Sequence, residues 1–205
     1  ETTQLRLMLS TLAGIANDNI PKRKNARVAV LPNLDYNIRK GNALMGFASR
    51  KKALQSVKQK FGSKETKRTS SLLDKKRNLL QSYKNCASLN QAQKIKKEIT
   101  DLHERGKQLF NQSFLATLNG KIEKKKVVKE VGLFHWPLEF PETSFDLVIG
   151  NPPYLRAEHI DRSVDGVKYK NALNQYYSPA VKNKSPRIRL SKTVDLSVFF
   201  VLRSM

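Results

Sequence analysis

Cysteine is nearly missing from this chain: Cys86 stands alone, which excludes an intrachain disulfide and any cysteine-built metal site. The only histidines, His103, His135 and His159, show no metal-ligand spacing, so no metal is expected and each reads as a surface or interface side chain. No apolar run approaches the roughly 18 residues of a membrane span, and no signal-peptide pattern opens the chain; both absences predict a reducing, cytoplasmic setting with no membrane partner. Acidic residues are scarce as well. Against 17 Asp+Glu stand 39 Lys+Arg in 205 residues, a net charge of +22 and a pI near 10.2. A soluble surface needs a net charge of no more than about 8, so the excess predicts a polyanionic partner, nucleic acid above all.

What is present is unevenly distributed. Hydrophobic residues make up 39%, a globular share, enough for one core with an appendage. Leu5, Met8, Leu9, Leu12 and Ile15 recur at helical spacing, predicting a helix over 1–16 that Asn17-Asp18-Asn19 and Pro21 terminate. A basic loop, Lys22-Arg23-Lys24, follows. Residues 37–44, Asn-Ile-Arg-Lys-Gly-Asn-Ala-Leu, read as a short strand entering a tight turn, with Gly41 tolerating unusual backbone angles. Residues 50–129 carry 22 Lys+Arg against 6 Asp+Glu, so +16 of the total charge sits there. Within them Leu72, Leu73, Leu79, Leu80 and Tyr83 form one helical stripe, and Ile95, Ile99, Leu102, Leu109 and Phe110 another. Ser88 with Gln91 reads as a capping box between them, predicting an antiparallel hairpin with one apolar and one lysine-rich face. That lysine face suits phosphate; the plainer alternative is a solvated surface.

Further on, residues 132–142 are aromatic and carry Pro137 and Pro141, which predicts an extended, non-helical stretch along the core surface. The run Phe145-Asp146-Leu147-Val148-Ile149-Gly150 reads as a buried parallel strand, and loops at the carboxyl ends of such strands carry function. Residues 155–190 interleave Tyr169, Tyr176 and Tyr177 with Lys168, Lys170, Lys182, Lys184, Arg187 and Arg189, a pattern suited to a nucleic-acid-facing loop. The chain starts inside a helix pattern at Glu1 and stops on the apolar run 194–202, so it reads as a piece of a larger protein.

Behind the predicted strand sits Asn151-Pro152-Pro153-Tyr154. Four specified residues occur by chance at about one in 10⁵ positions, or on the order of one in 10³ chains of this length. As a bare structural element they would make a proline-rigidified turn. As chemistry they suit an amino group on a flat ring. The lone pair of an exocyclic amine is delocalised into its ring. Two acceptors, the Asn151 side-chain oxygen and the Pro152 carbonyl, would draw the nitrogen towards tetrahedral geometry and free that pair. The prolines fix the carbonyl, and Tyr154 offers a face on which a base rotated out of a duplex can stack.

Asp146 through Tyr154 resembles motif IV of the S-adenosylmethionine-dependent adenine-N6 DNA methyltransferases, particularly the large bacterial restriction-modification enzymes. Residues 5–10 look like the helix after their cofactor-ribose strand, and Gly41-Asn42-Ala43-Leu44 resembles their motif III turn. Trp136 with Glu139-Phe140-Pro141 is similar to the segment entering motif IV, and residues 194–199 to the motif V helix behind the target-base pocket.

The resemblance implies an α/β fold: an incomplete Rossmann-like core of a few parallel strands and helices with a helical-hairpin insertion. It divides the chain into 1–49 as the start of the core with its turn at 41–44, 50–130 as the basic insertion, and 131–205 as the core carrying the catalytic loop. It implies catalytic roles for Asn151, Pro152, Pro153 and Tyr154, cofactor contact at Gly41 and Asn42, S-adenosylmethionine as cofactor, and double-stranded DNA as partner. The family's glycine-rich cofactor loop and ribose-holding acid are expected upstream of Glu1 and its target-recognition domain after Met205. The fragment alone is therefore expected to bind cofactor poorly and not to methylate. Two other readings stand beside it: a protein-glutamine N-methyltransferase, whose amide substrate poses a similar lone-pair problem, and a non-catalytic nucleic-acid-binding helical module.

Overall fold

Two long helices make the frame. In the computed structural model, which describes Arg6 and residues 36–86, 88–118, 127–141, 145–160, 169–184, 190 and 194–204, helix α1 spans Arg50–Lys84 and α2 spans Leu89–Thr117. The helix expected at 1–16, apart from Arg6, and the turn and basic loop after it lie outside the described residues. Ser49 caps α1, its hydroxyl accepting from Lys52 N at 3.4 Å, and Lys84 in the last turn suits the negative end of the helix dipole. Gly62 breaks α1 with φ 84° and ψ 177°, so it is two helical stretches across a kink. A Cβ there would meet nothing, so glycine serves backbone geometry and not space. Ser88 does precede α2, but its side chain makes no capping bond: the expected capping box is not formed.

The helices run antiparallel. Ser56 Oγ donates to Ser113 O at 3.1 Å near one end, Lys75 pairs with Glu98 further along, and Leu80, Tyr83 and Ile99 cluster near the connecting turn. The main core is shared with the rest of the chain. Ala53, Val57, Leu73, Phe110 and Phe114 join Leu44, Met45 and Phe47, Leu133 and Leu138, Tyr169, Leu173 and Tyr177, and Leu196 and Phe199 in one buried cluster. A π-helical turn at Val127–Val131 and a single helical turn, α3 at Trp136–Glu139, lead to a 3₁₀ turn at Ala157–His159; α4 spans Tyr169–Lys184 and α5 Leu196–Ser204.

This corrects the α/β expectation. Helix accounts for 71% of the described residues, and they contain no strand or sheet. The pairing they do contain is one parallel bridge, Asn42 with Leu133, flanked by Phe134 N→Met45 O at 2.8 Å and Trp136 N→Phe47 O at 3.0 Å. The turn at Ala43–Gly46, with Gly46 at φ 130°, interrupts any ladder. Residues 145–149 do not form the buried strand their composition predicts. Leu147, Val148 and Ile149 are 74%, 71% and 86% exposed, because an apolar β run is buried only between neighbours that pair with its backbone, and no described residue does so.

Residues 132–141 also depart from expectation. Pro137 stands in the first turn of α3, where a missing N–H costs nothing, and Phe134, His135, Pro137 and Leu138 are buried. Gly106 of α2 permits this burial: a Cβ there would lie 2.6 Å from Leu138 Cδ1.

Candidate functional site

The turn over residues 41–47 is held from two sides. Asn42 shapes it from within, its Oδ1 accepting from Leu44 N at 3.1 Å and its carbonyl from Met45 N at 3.2 Å, an Asx turn of the kind Asn favours. Gly41 is needed for a reason other than the one its sequence suggests. It has no positive φ; a Cβ would sit 2.2 Å from Phe134 Cδ2, so the requirement is close packing.

From outside, α4 reaches over with three tyrosines. Tyr169 Oη lies 2.8 Å from Asn42 Nδ2, Tyr176 Oη donates to Gly46 O at 3.0 Å, and Tyr177 Oη donates to Leu44 O at 2.7 Å. Arg203 of α5 donates to the same Gly46 carbonyl at 2.8 Å. Two of these tyrosines are therefore not nucleic-acid-facing as expected: Tyr169 and Tyr177 are core residues whose burial raises their phenol pKa values, Tyr169 to about 12. Positions 169, 176 and 177 share one helical face, a pattern that was available in the sequence. Lys170 reaches back to Ala157 O, while Lys168, Arg187, Arg189 and the side chains of Lys182 and Lys184 lie outside the described residues.

Two histidines expected as surface or interface side chains are structural. His135 is buried, takes Phe47 N on Nδ1 at 3.1 Å and places Nε2 3.0 Å from Asn111 Oδ1, which requires the neutral tautomer protonated on Nε2. Burial, reinforced by Arg203, pulls its pKa down to about 3. His103, half-buried, belongs to a second group. Lys76, wholly buried, donates to Leu138 O and to His103 Nδ1 at 2.9 Å. His103 Nε2 faces Glu139 Oε1 at 3.5 Å, and Arg39 faces the other Glu139 oxygen at 3.5 Å. Burial lowers Lys76 to about 8, and burial together with Lys76 lowers His103 to about 3; burial raises Glu139, opposed by Lys76 and Arg39. This network ties α1 and α2 to α3. Lys76 sits between Leu73 and Leu80 in helical spacing, a signal of burial missed in expecting the hairpin's lysines on an outward face. Among the described residues no group of three or more His, Cys, Asp or Glu could hold a metal.

The Asn-Pro-Pro-Tyr segment is presented to solvent. Asn151, Pro153 and Tyr154 are exposed, Tyr154 by 88%, and Asn151's carboxamide makes no hydrogen bond within the described residues. Leu155 N→Pro153 O at 3.0 Å closes a tight turn behind it. The start of α5 anchors residues 155–157, Leu196 N donating to Leu155 O at 3.1 Å and Ala157 N to Asp195 Oδ1 at 3.1 Å. The two candidate loops are thus connected through α4 and α5: Arg203 holds one loop, Leu196 the other.

The chain carries a solvent-facing loop with an exposed amide and an exposed aromatic ring, on a strongly basic helical frame. A frame of that charge suits a polyanionic partner. The family model for Eco57I restriction-modification methylases matches residues 1–205, and the chain belongs to that family. The family is one of restriction-modification methylases, which implies methyl transfer with DNA as the substrate. No curated protein and no solved structure matches. Among the described residues no helix is long and apolar enough to cross a membrane.

Proposed function

We propose that the chain carries the catalytic loop of an adenine-N6 DNA methyltransferase that uses S-adenosylmethionine. The observation that carries this reading is the free carboxamide of Asn151 beside the bare ring of Tyr154 in a chain of the methylase family. Asn151 Oδ1 and the Pro152 carbonyl accept the two N–H bonds of the adenine amino group, and Tyr154 stacks on the extruded base. With a methyl donor bound, Asn151 Oδ1 and the Pro152 carbonyl would hold the amine while its nitrogen gained the methyl group as the donor's carbon–sulfur bond broke, and the surplus N6 proton would leave to solvent. Rate comes from holding the amine in line and in the right geometry, with no covalent enzyme intermediate.

The cofactor supplies an electrophilic methyl group. Asn42 fits one contact with it: Tyr169 takes one Nδ2 hydrogen, and the other remains for an acceptor on the cofactor's purine ring. Gly41 lets the turn approach Phe134 closely and so places Asn42.

The reading is tested with the intact protein on unmethylated DNA and a radiolabelled methyl donor, with a glutamine-containing protein substrate in parallel. Label in N6-methyladenine, lost in Asn151→Ala while DNA binding persists, is the expected result. Label on protein amide, or undiminished transfer by Asn151→Ala, would overturn it.

A further inference from the structure

The first half of α1 has a surface that neither loop uses. Residues 50–64 carry six basic residues and no acidic one. Ala53, Ser56 and Val57 face the core, which leaves Lys51, Lys52, Gln55, Lys58 and Gln59 exposed on the opposite side of the same helical stretch. The carboxylates that pair on the hairpin lie further along and are engaged there: Glu65 with Arg68, Asp74 with Arg50 and Arg77, Glu98 with Lys75. Lys51, Lys52 and Lys58 meet no carboxylate among the described residues. Like charges this close repel one another, a cost that an anionic partner removes.

We infer that this Lys51–Lys52–Lys58 face of α1 lies along the phosphate backbone of duplex DNA. Lys51 and Lys58 project from one side about 10 Å apart along the helix, at 1.5 Å per residue. The face bears amides and ammonium groups and no large apolar side chain, which suits phosphate and excludes insertion into a lipid surface. It is also continuous with the site. Lys52, Gln55 and Gln59 line an open cleft of about 250 Å³ whose far wall is Gln175 and Tyr176 of α4, and Tyr176 is the side chain that bonds Gly46 of the 41–47 turn. DNA held on this face therefore rests against the helix that fixes the candidate cofactor turn. The inference rests on the methylase reading only in choosing DNA as the polyanion.

The test is the salt dependence of binding by the intact protein to a labelled duplex. Each phosphate contact contributes about 0.9 to the slope of log K against log salt, so Lys51→Gln/Lys52→Gln/Lys58→Gln lowers the magnitude of that slope by about 2.7. A control triple on α2, Lys94→Gln/Lys97→Gln/Lys107→Gln, removes the same charge and leaves the slope near that of the wild type. An unchanged slope in the α1 triple, or an equal fall in both triples, would overturn the inference. So would an equal loss of affinity for polyglutamate, which would make the face a site for acidic protein. Should the α1 triple lose its helical signal, Lys58→Gln alone decides, with a fall of about 0.9 expected. Adenine methylation with an unchanged slope sinks this inference and spares the functional reading; a reduced slope with no methyl on adenine does the reverse.

Discussion

The Tyr169 hydroxyl stands 2.8 Å from Asn42 Nδ2 and 3.0 Å from Asn42 Oδ1, across 127 positions of sequence. It therefore locks the rotation of the one side chain proposed to meet the cofactor, while Leu44 N holds the same Oδ1 from inside the turn. A carboxamide held at both ends presents its remaining N–H in one direction, which is what a ring nitrogen requires of its partner.

Tyr169→Phe removes that hydroxyl and keeps the ring. Losing a part-buried hydrogen bond costs about 1 kcal/mol of stability. In the intact protein, calorimetry should show weaker S-adenosylmethionine binding, with DNA affinity unchanged. Cofactor affinity equal to wild type would mean that Asn42 needs no outside support.

Gly41→Ala forces a methyl group into Phe134, whose Cδ2 lies 2.2 Å from the added Cβ position. Overpacking of this kind costs about 1–3 kcal/mol. Combining it with Phe134→Ala relieves the clash, so the double variant should lose less stability than the two single losses added together. Additive losses in a denaturant titration would show that Gly41 matters for backbone freedom instead.

Gly62→Ala confronts the positive φ at the kink in α1, where space is not the obstacle. Holding an L-residue there costs about 1–2 kcal/mol. A second outcome is relaxation of the kink into continuous helix, visible as increased helical circular dichroism with no loss of stability.

His103 and His135 are both neutral in the fold, with pKa values near 3 against an ordinary 6.5. Between those values the unfolded chain binds protons that the folded one refuses, so folding stability is intact above about pH 6.5 and falls as pH drops towards 3. Lys76, lowered to about 8 by burial, acts in a higher window: its charged form is disfavoured in the fold, so stability rises as pH increases from 8 towards 10.5. Urea titrations at about pH 4.5, 5.5, 7 and 9 check both slopes. Glu139, raised by burial, opposes the histidine slope, so the decisive profile is that of Glu139→Gln: if it is flat between about pH 4.5 and 6.5, neither histidine is held neutral by the fold.

The helical parts of the fold were legible because amphipathic helices encode themselves locally: the stripes ending at Tyr83 and Phe110 recur at helical spacing whatever they pack against. Lys76 was the exception: it falls between Leu73 and Leu80 and is buried, where the hairpin's lysines were expected on the outward face. The extended parts were not, since a strand exists only through partners elsewhere in the chain. Residues 145–149 have the composition of a buried strand, yet nothing within them supplies a neighbour. The Ser88 capping box failed for a related reason: the motif specifies where a helix can begin, but not where the side chain turns.

By itself the sequence determined the basic character of this protein, its two long helices, and the chemical identity of the loop at Asn151 to Tyr154, for charge, periodicity and a contiguous motif are local properties. Tertiary structure alone decided that Tyr169 and Tyr177 are buried in support of the Asn42 turn instead of meeting nucleic acid, that His103 and His135 are neutral groups, and that Gly41 answers to Phe134. Each of those outcomes depends on a residue far away in sequence, and only chain folding brings such pairs within hydrogen-bonding or van der Waals reach.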